Sequence, residues 1–488
     1  MERLSRSLLK DFQQYPEKVL QFGEGNFLRA FVDWQVDELN KHTDFNGSVV
    51  AVQPRGKGKT DKLNQQDGLY TLFLQGMKNG KAVKEHNVIS AISRGMDLFN
   101  HYDDYLKLAH NPDLRFIVSN TTEAGIYFEP QDQLADRPQK SFPAKLTVFL
   151  YERFQAFKGD ENKGFIIIPC ELIEKNGEML KAFILKYAEL WNLGDGFVEW
   201  IHSGNTFCNS MVDRIVPGYP VDTIDKINEE LGYVDDFVVV SEQYHLWVIE
   251  GPEWIREEFP VHLAGLNTIF VEDMTPFRTR KVRILNGAHT AMTPVAYLVG
   301  LNTVAEAIEH ESVGRFIKEL ISEEIIPTLN TPIVELQAFA EDVIERFRNP
   351  FIQHYLLSIS LNSVAKFKTR NLPSLIAYYN AKQKLPSKLV FSFAALLYFY
   401  KGYRGEEAIQ LSDDEKILAL FKEQWQQFDG TMAGAQKLVK YVLGRNDIWE
   451  QDLNEIPGLM EAVSNALFAI ETNGMHTAVD SSLVINEA

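Results

Sequence analysis

Six short runs constrain this chain more than any other feature: 18–22 (KVLQF), 48–53 (SVVAVQ), 115–119 (RFIVS), 164–169 (GFIIIP), 237–241 (FVVVS) and 268–271 (TIFV). Several are apolar at successive positions, so a strand built from them has no face to give to water. Such strands belong in a parallel sheet covered on both sides. Helical patterns fill the intervals between them, which makes the first part of the chain α/β. After residue 272 the period lengthens. Thr275-Pro276 and Thr331-Pro332 each read as an N-cap followed by proline in the first helical turn. Ile333, Leu336, Phe339, Val343 and Phe347 then recur at spacings of three and four, marking one helix face. No convincing strand follows residue 272. The expected architecture is a Rossmann-type dinucleotide-binding domain over 1–270 and a mostly α-helical domain over 271–488.

Composition removes several function classes. The chain has 488 residues, 45% apolar and 24% charged, an ordinary globular balance. Its net charge of −18 repels nucleic acid and anionic membranes, so neither is expected as a partner. The longest apolar stretch, 389–400 (LVFSFAALLYFY), falls short of the ~20 residues a membrane helix needs and reads as a buried helix. The opening MERLSRSLLKDFQQYPEKV has no apolar core or small-residue cleavage site, and a cytoplasmic location is expected. Two cysteines, Cys170 and Cys208, cannot build a disulfide framework, and no HExxH pair occurs, so no metal is expected.

The first strand runs into Gly23-Glu24-Gly25 and then a helical pattern, the arrangement that cradles a pyrophosphate. Gly23 permits the turn, and Gly25 admits the phosphates close to the backbone. The helix N-terminus offers unpaired N–H groups. Leu28 stands where the usual motif has a third glycine. The candidate cofactor contacts are Val19, Leu20, Gln21 and Phe22 of the strand, Gly23, Glu24 and Gly25 of the turn, and Asn26, Phe27, Leu28, Arg29 and Ala30 of the helix start. Gln53, Asn120 and Thr121 join them from the ends of two other strands. Gln53 can bond a ribose hydroxyl and Arg55 can accommodate a 2′-phosphate, so these residues leave NAD and NADP both open.

Farther on, Lys281, Asn286 and His289 fall at roughly 0°, 140° and 80° on an α-helical wheel, within one half-circle. An amine, an amide and an imidazole on one face suit metal-free carbonyl–alcohol chemistry. The amide stabilises charge developing on oxygen, and the lysine delivers or removes the proton. A second cluster is 210–215 (SMVDRI). A third is Arg346, Arg348, His354, Lys366, Lys368 and Arg370, cations able to hold a carboxylate, with Arg346 the first choice. Clustered cations in so acidic a chain point to a small anionic substrate.

Lys281-x₄-Asn286-x₂-His289, together with SMVDRI at 210–215 and RFRNP at 346–350, resembles the polyol-specific long-chain dehydrogenases, the mannitol dehydrogenase family. The likeness runs from about residue 18 to the end. It is strongest, through QFGEGNFLRAFVDW, SNTTEAGI, IIIPCELIEKNG and ILNGAHTA, to members acting on keto-uronates. The resemblance implies NAD as cofactor and NADH-dependent reduction of D-tagaturonate to D-altronate, with D-fructuronate or a neutral ketose as alternative substrates. It also implies Lys281 as acid/base, Asn286 as oxyanion donor, His289 as its orienting partner and Asp213 at the substrate. Many family members carry an asparagine directly after the Cys-Asp or Cys-Glu pair. Here Leu172 follows Cys170-Glu171, and Asn176 is the expected second donor. A nucleotide sensor on the same fold would have no use for a proton donor, which favours an enzyme.

Overall fold

The computed structural model describes residues 1–10, 12–54, 56, 58–78, 80–121 and 125–484. Among the described residues twelve strands precede residue 272: β1 (Glu17–Phe22), β2 (Ser48–Gln53), β3 (Tyr70–Lys78), β4 (Lys81–Ile89), β5 (Ile92–Asp97), β6 (Phe116–Ser119), β7 (Ile166–Pro169), β8 (Thr206–Phe207), β9 (Asn209–Asp213), β10 (Val239–Ser241), β11 (Leu246–Glu250) and β12 (Thr268–Val271). Six form one sheet in the order β5-β2-β1-β6-β7-β8, and every neighbouring pair is parallel. This is the doubly wound dinucleotide-binding order, with the reversal between β1 and β6. The expected α/β class is borne out.

The sheet is buried on both faces for the reason the sequence gives. Successive residues enter opposite cores. Val19, Val49, Val118 and Ile168 pack with Phe31, Trp34 and Leu39 on one side. Leu20, Val50, Ile117 and Ile167 pack with Phe149 and Ile184 on the other. Each fully buried aliphatic side chain contributes about 1.5–3 kcal/mol. Two smaller sheets, β10-β3-β4 and β12-β11-β9, flank this core.

Contacts divide the chain into two compact units, Met1–Gly76 with Val83–Met274, and Met77–Ala82 with Thr275 onward. The second unit is helical, with one correction. Tyr403–Arg404 pairs antiparallel with Glu407–Ala408, a two-residue ladder where no strand was expected. The apolar stretch at 389–400 runs along helix Ser387–Phe399 and ends on its C-cap, Tyr400, and its apolar side chains are largely buried. In helix Ile333–Phe347, Leu336, Phe339, Val343 and Phe347 are buried as the spacing predicts, but Ile333 is 57% exposed. Its N-cap is Pro332 rather than Thr331, and no side chain caps it. The tip Met77–Ala82 joins this unit through the Gly80 N–H, which donates to Glu345 Oε1 at 2.7 Å.

Two helices carry the candidate motifs, and both contain a π segment. The helix over 26–42 is α at Asn26–Leu28, π at Arg29–Asp33 and α again at Trp34–His42. The helix over 275–299 is α at Thr275–Arg280, π at Lys281–Asn286 and α at Gly287–Val299.

Candidate active site

The glycine turn lies at the strand-order reversal. The Gly23 N–H donates to Val52 O at 2.8 Å, and the Asn120 N–H donates to Phe22 O at 3.1 Å, tying β1 to both neighbours. Gly23 has φ +128°, and a Cβ there would meet Leu28 Cδ1 at 2.9 Å and Asn120 O at 3.3 Å. Packing within the protein therefore requires this glycine. Gly25 is different: a Cβ on it would meet nothing within 4 Å. The space over Gly25 is open, and Gly25 caps the following helix without any side-chain bond to its N–H groups. Open space beside uncapped N–H groups fits a pyrophosphate.

Val19, Leu20, Phe22, Leu28 and Ala30 are at most 2% exposed. Their side chains build the core beneath the turn, and the surface of the candidate cofactor site falls to Glu24, Gly25, Asn26 and Phe27. Arg29 is locked in place, donating to Glu24 O, Phe237 O and Asn26 Oδ1. Gln21 Nε2 donates to Gly23 O at 3.0 Å and to Asp33 Oδ2 at 3.2 Å, bracing the turn from below. Burial pushes the Asp33 carboxyl up to about 7, against the opposing effects of Gln21 and Arg29. Gln21 Oε1 and Asp33 Oδ1 are both buried without a partner.

Gln53 is 2% exposed, and its Oε1 accepts from Thr60 at 3.2 Å. Arg55 lies outside the described residues, as do Thr122, Glu123 and Ala124. Asn120 Nδ2 donates to Cys170 O at 3.1 Å. Thr121 donates to Glu171 Oε1 from both its backbone N–H and its hydroxyl, each at 2.9 Å, and Ser119 donates to Glu171 Oε2 at 3.0 Å. Glu171 thus anchors the loop leaving β6, a role the sequence did not disclose.

Asn176 is not a free oxyanion donor. Its Nδ2 faces Pro169 O, Glu171 O and Ser210 O, each at 3.0 Å, and its Oδ1 accepts from the Ser210 and Gly177 N–H groups. Its two amide hydrogens are spent on three carbonyls, so it clamps β7 to β9. Asp213 ends β9 and is 6% exposed. Arg214 donates to Glu242 O and Ala30 O and lies 4.2 Å over the Trp34 ring.

In the second unit the wheel drawn for an ideal α-helix needs correction. Lys281 and Asn286 are the first and last residues of the π segment. Bonding from i to i+5 widens the turn and brings the residue five positions on back toward its starting face. Lys281 and Asn286 are therefore closer in direction than α geometry allows. Asn286 makes no side-chain capping bond, and among the described residues its amide has no partner. His289 lies against Phe347, with ring centroids 4.4 Å apart and planes tilted by 32°, and meets His354 edge-on at 5.0 Å. Its Nε2 is buried and unpartnered. Burial holds its pKa well down, reinforced by His354, Arg346, Arg370 and Lys366. His289 is consequently neutral near pH 7.

The cations converge unequally. Arg346 has Asp342 within electrostatic reach. Lys368 pairs with Glu450 at 3.0 Å. Arg280 lies over the Phe277 and Phe339 rings at 4.6 and 4.8 Å. Arg348 lines a groove with Glu341 and Glu345. Arg370 Nη1 donates to Thr290 Oγ1 at 3.2 Å, and Lys366 Nζ donates to Ile359 O at 2.9 Å. Sequence reasoning placed His354 in the cluster able to hold a carboxylate; the structure sets its ring edge-on to His289.

Two family models match the chain: the Mannitol dehydrogenase Rossmann domain over residues 17–262 and the Mannitol dehydrogenase C-terminal domain over residues 273–471. An altronate oxidoreductase of Bacillus subtilis (strain 168) is 59% identical over 480 residues, 98% of each chain. An altronate oxidoreductase of Shigella flexneri is 48% identical over 482 residues, 98% of this chain and 99% of its own. Among solved structures, a Pseudomonas fluorescens mannitol 2-dehydrogenase in ternary complex with NAD and D-mannitol matches with TM-score 0.66 and 20% identity over 99% of both chains. A D-sorbitol dehydrogenase in substrate-free form matches with TM-score 0.80 and 22% identity, covering 98% of this chain and 100% of its own. At such identities these two structures speak to the fold alone.

Proposed function

The chain belongs to the mannitol dehydrogenase family, and on that premise we propose that it is an NAD-dependent oxidoreductase interconverting D-tagaturonate and D-altronate. The 59% identity to an altronate oxidoreductase across nearly the whole chain supports the substrate. The observation that carries the chemistry is the set on one helix: Lys281, an Asn286 amide without a partner, and a neutral His289 with a buried, unpartnered Nε2.

Each group has a task in reducing a ketone. NADH, held over Gly25 and the uncapped helix start, supplies the hydride when bound. Lys281 gives a proton to the carbonyl oxygen as it becomes a hydroxyl, and removes it in the reverse direction. The Asn286 N–H₂ donates to that oxygen while charge builds on it. His289, neutral and packed against Phe347, orients the reacting end. Asp213 contributes a substrate contact on the strength of the family resemblance, and the lysine makes a metal unnecessary to the scheme. The test is to mix the protein with NADH and, separately, D-tagaturonate, D-fructuronate, tagatose and fructose, following nicotinamide absorbance. Fastest turnover on D-tagaturonate is expected. No turnover on either keto-uronate would reject the reading.

A further inference from the structure

Three half-buried cations in the second unit have no carboxylate within ion-pairing distance among the described residues: Arg283, Lys366 and Arg370. This is unexpected in a chain with 67 acidic and 49 basic residues. Removing a cation from water without a counter-charge costs free energy, and a folded chain keeps such a group where an anion will join it. Arg283 is turned to Ser374 Oγ. Arg370 instead reaches the helix of Lys281 at Thr290, and Arg370 and Lys366, like Arg346, are close enough to lower the pKa of His289.

We infer that Lys366 and Arg370 form the subsite for the carboxylate of the substrate. The inference rests on the oxidoreductase reading above and assigns the specificity within it. Both side chains come from helix Ser363–Arg370, one turn apart. The Lys366 ammonium is held below its ordinary value first by burial and then by Arg370, so the two like charges are within reach of one another. Asp413 pulls the other way but forms no ion pair with Lys366 among the described residues. A carboxylate between the two relieves both burial and repulsion. Arg370 spends one N–H on Thr290, which fixes its fork and leaves its remaining donors for two parallel bonds. Arg370 meets the catalytic helix at Thr290, beyond His289 as counted from Lys281. The order along the helix is therefore proton donor, amide, imidazole, cation. A keto-uronate presents its ketone and carboxylate in that same order, at opposite ends of the molecule. Arg346, the first choice on sequence, already has Asp342 to offset its charge.

The experiment compares kcat/KM for D-tagaturonate and tagatose at saturating NADH in the wild type, Arg370→Gln, Lys366→Gln and Arg346→Gln. Arg370→Gln and Lys366→Gln are each expected to raise KM for the keto-uronate ~10- to 100-fold and to shrink the uronate-to-ketose preference by the same factor. Arg370→Lys should recover part of that preference, and Arg346→Gln should change it least. A general folding defect lowers both substrates together, so the ratio isolates the subsite; should Arg370→Gln fail to fold, Lys366→Gln carries the comparison. An unchanged ratio in the folded variants, or a collapse in Arg346→Gln alone, overturns the assignment while leaving the oxidoreductase reading in place. A wild type that reduces no keto-uronate at all overturns that reading instead.

Discussion

Asn286 and Lys281 make separable contributions, and their substitutions should show it. Lys281→Ala is expected to lower kcat by ~10²–10⁴, the usual worth of a positioned acid/base. Asn286→Ala is expected to lower it by ~10²–10³, the cost of one oxyanion donor. Neither should move the dissociation constant for NADH, because the glycine turn belongs to the other unit. A shared loss of NADH affinity, measured by fluorescence titration, would contradict the assignment. These two residues were legible in the sequence because lysine, asparagine and histidine share half of a helical wheel. Their true relation was not, since no proline or glycine breaker marks the π segment between 281 and 286. The contacts of His354 and Glu171 also escaped notice. Each acts on a residue far away in sequence, His289 and Thr121, and only the fold brings them together.

The helix over 26–42 and strand β1 meet through Asp33 and Gln21, and this joint has a pH dependence. The Asp33 carboxyl sits at about 7 in the folded protein, against 3.8 ordinarily, because of burial. Arg29 and Asp37 on its own helix and Tyr70 on β3 are the charged and titratable groups nearest it. Between these values the unfolded chain has released the proton that the folded chain still holds. Stability from this group is therefore present at low pH and lost as pH rises toward 7, by up to about 4 kcal/mol for a shift of this size. Asp33→Asn keeps an acceptor for Gln21 and cannot ionise. Its melting temperature relative to wild type should rise between pH 5 and pH 8; a constant or falling difference would show that Asp33 is ionised throughout. Sequence reading missed this buried acid because an aspartate in an amphipathic helix normally faces solvent. It likewise missed β4, KAVKEHNVI, most of whose residues are exposed, so its side chains carry no alternation. Most of the cluster read at 210–215 belongs to β9, all five of whose residues are buried.

Across the whole molecule, the doubly wound sheet was legible through β1, β2, β6 and β7, which are apolar on both faces, a pattern few other architectures tolerate. Strand β5, which carries Arg94 and Asp97, and the two-residue β8 were not foreseen, and the runs at 237–241 and 268–271 joined the smaller sheets. The hairpin between β3 and β4 was not legible either. Its tip, Met77–Ala82, is counted with the helices, tied by Gly80 to Glu345. Recombination among relatives is constrained by that ownership. A single crossover near residue 274 would graft a new helical unit onto an old tip, separating Gly80 from the glutamate it evolved beside. A chimera with two further junctions, carrying 77–82 along with the helices, keeps the pair. The three-junction chimera should melt at a higher temperature than the single-crossover one, and equal melting would show that the tip is interchangeable. For this chain, the natural unit of exchange is discontinuous in the gene.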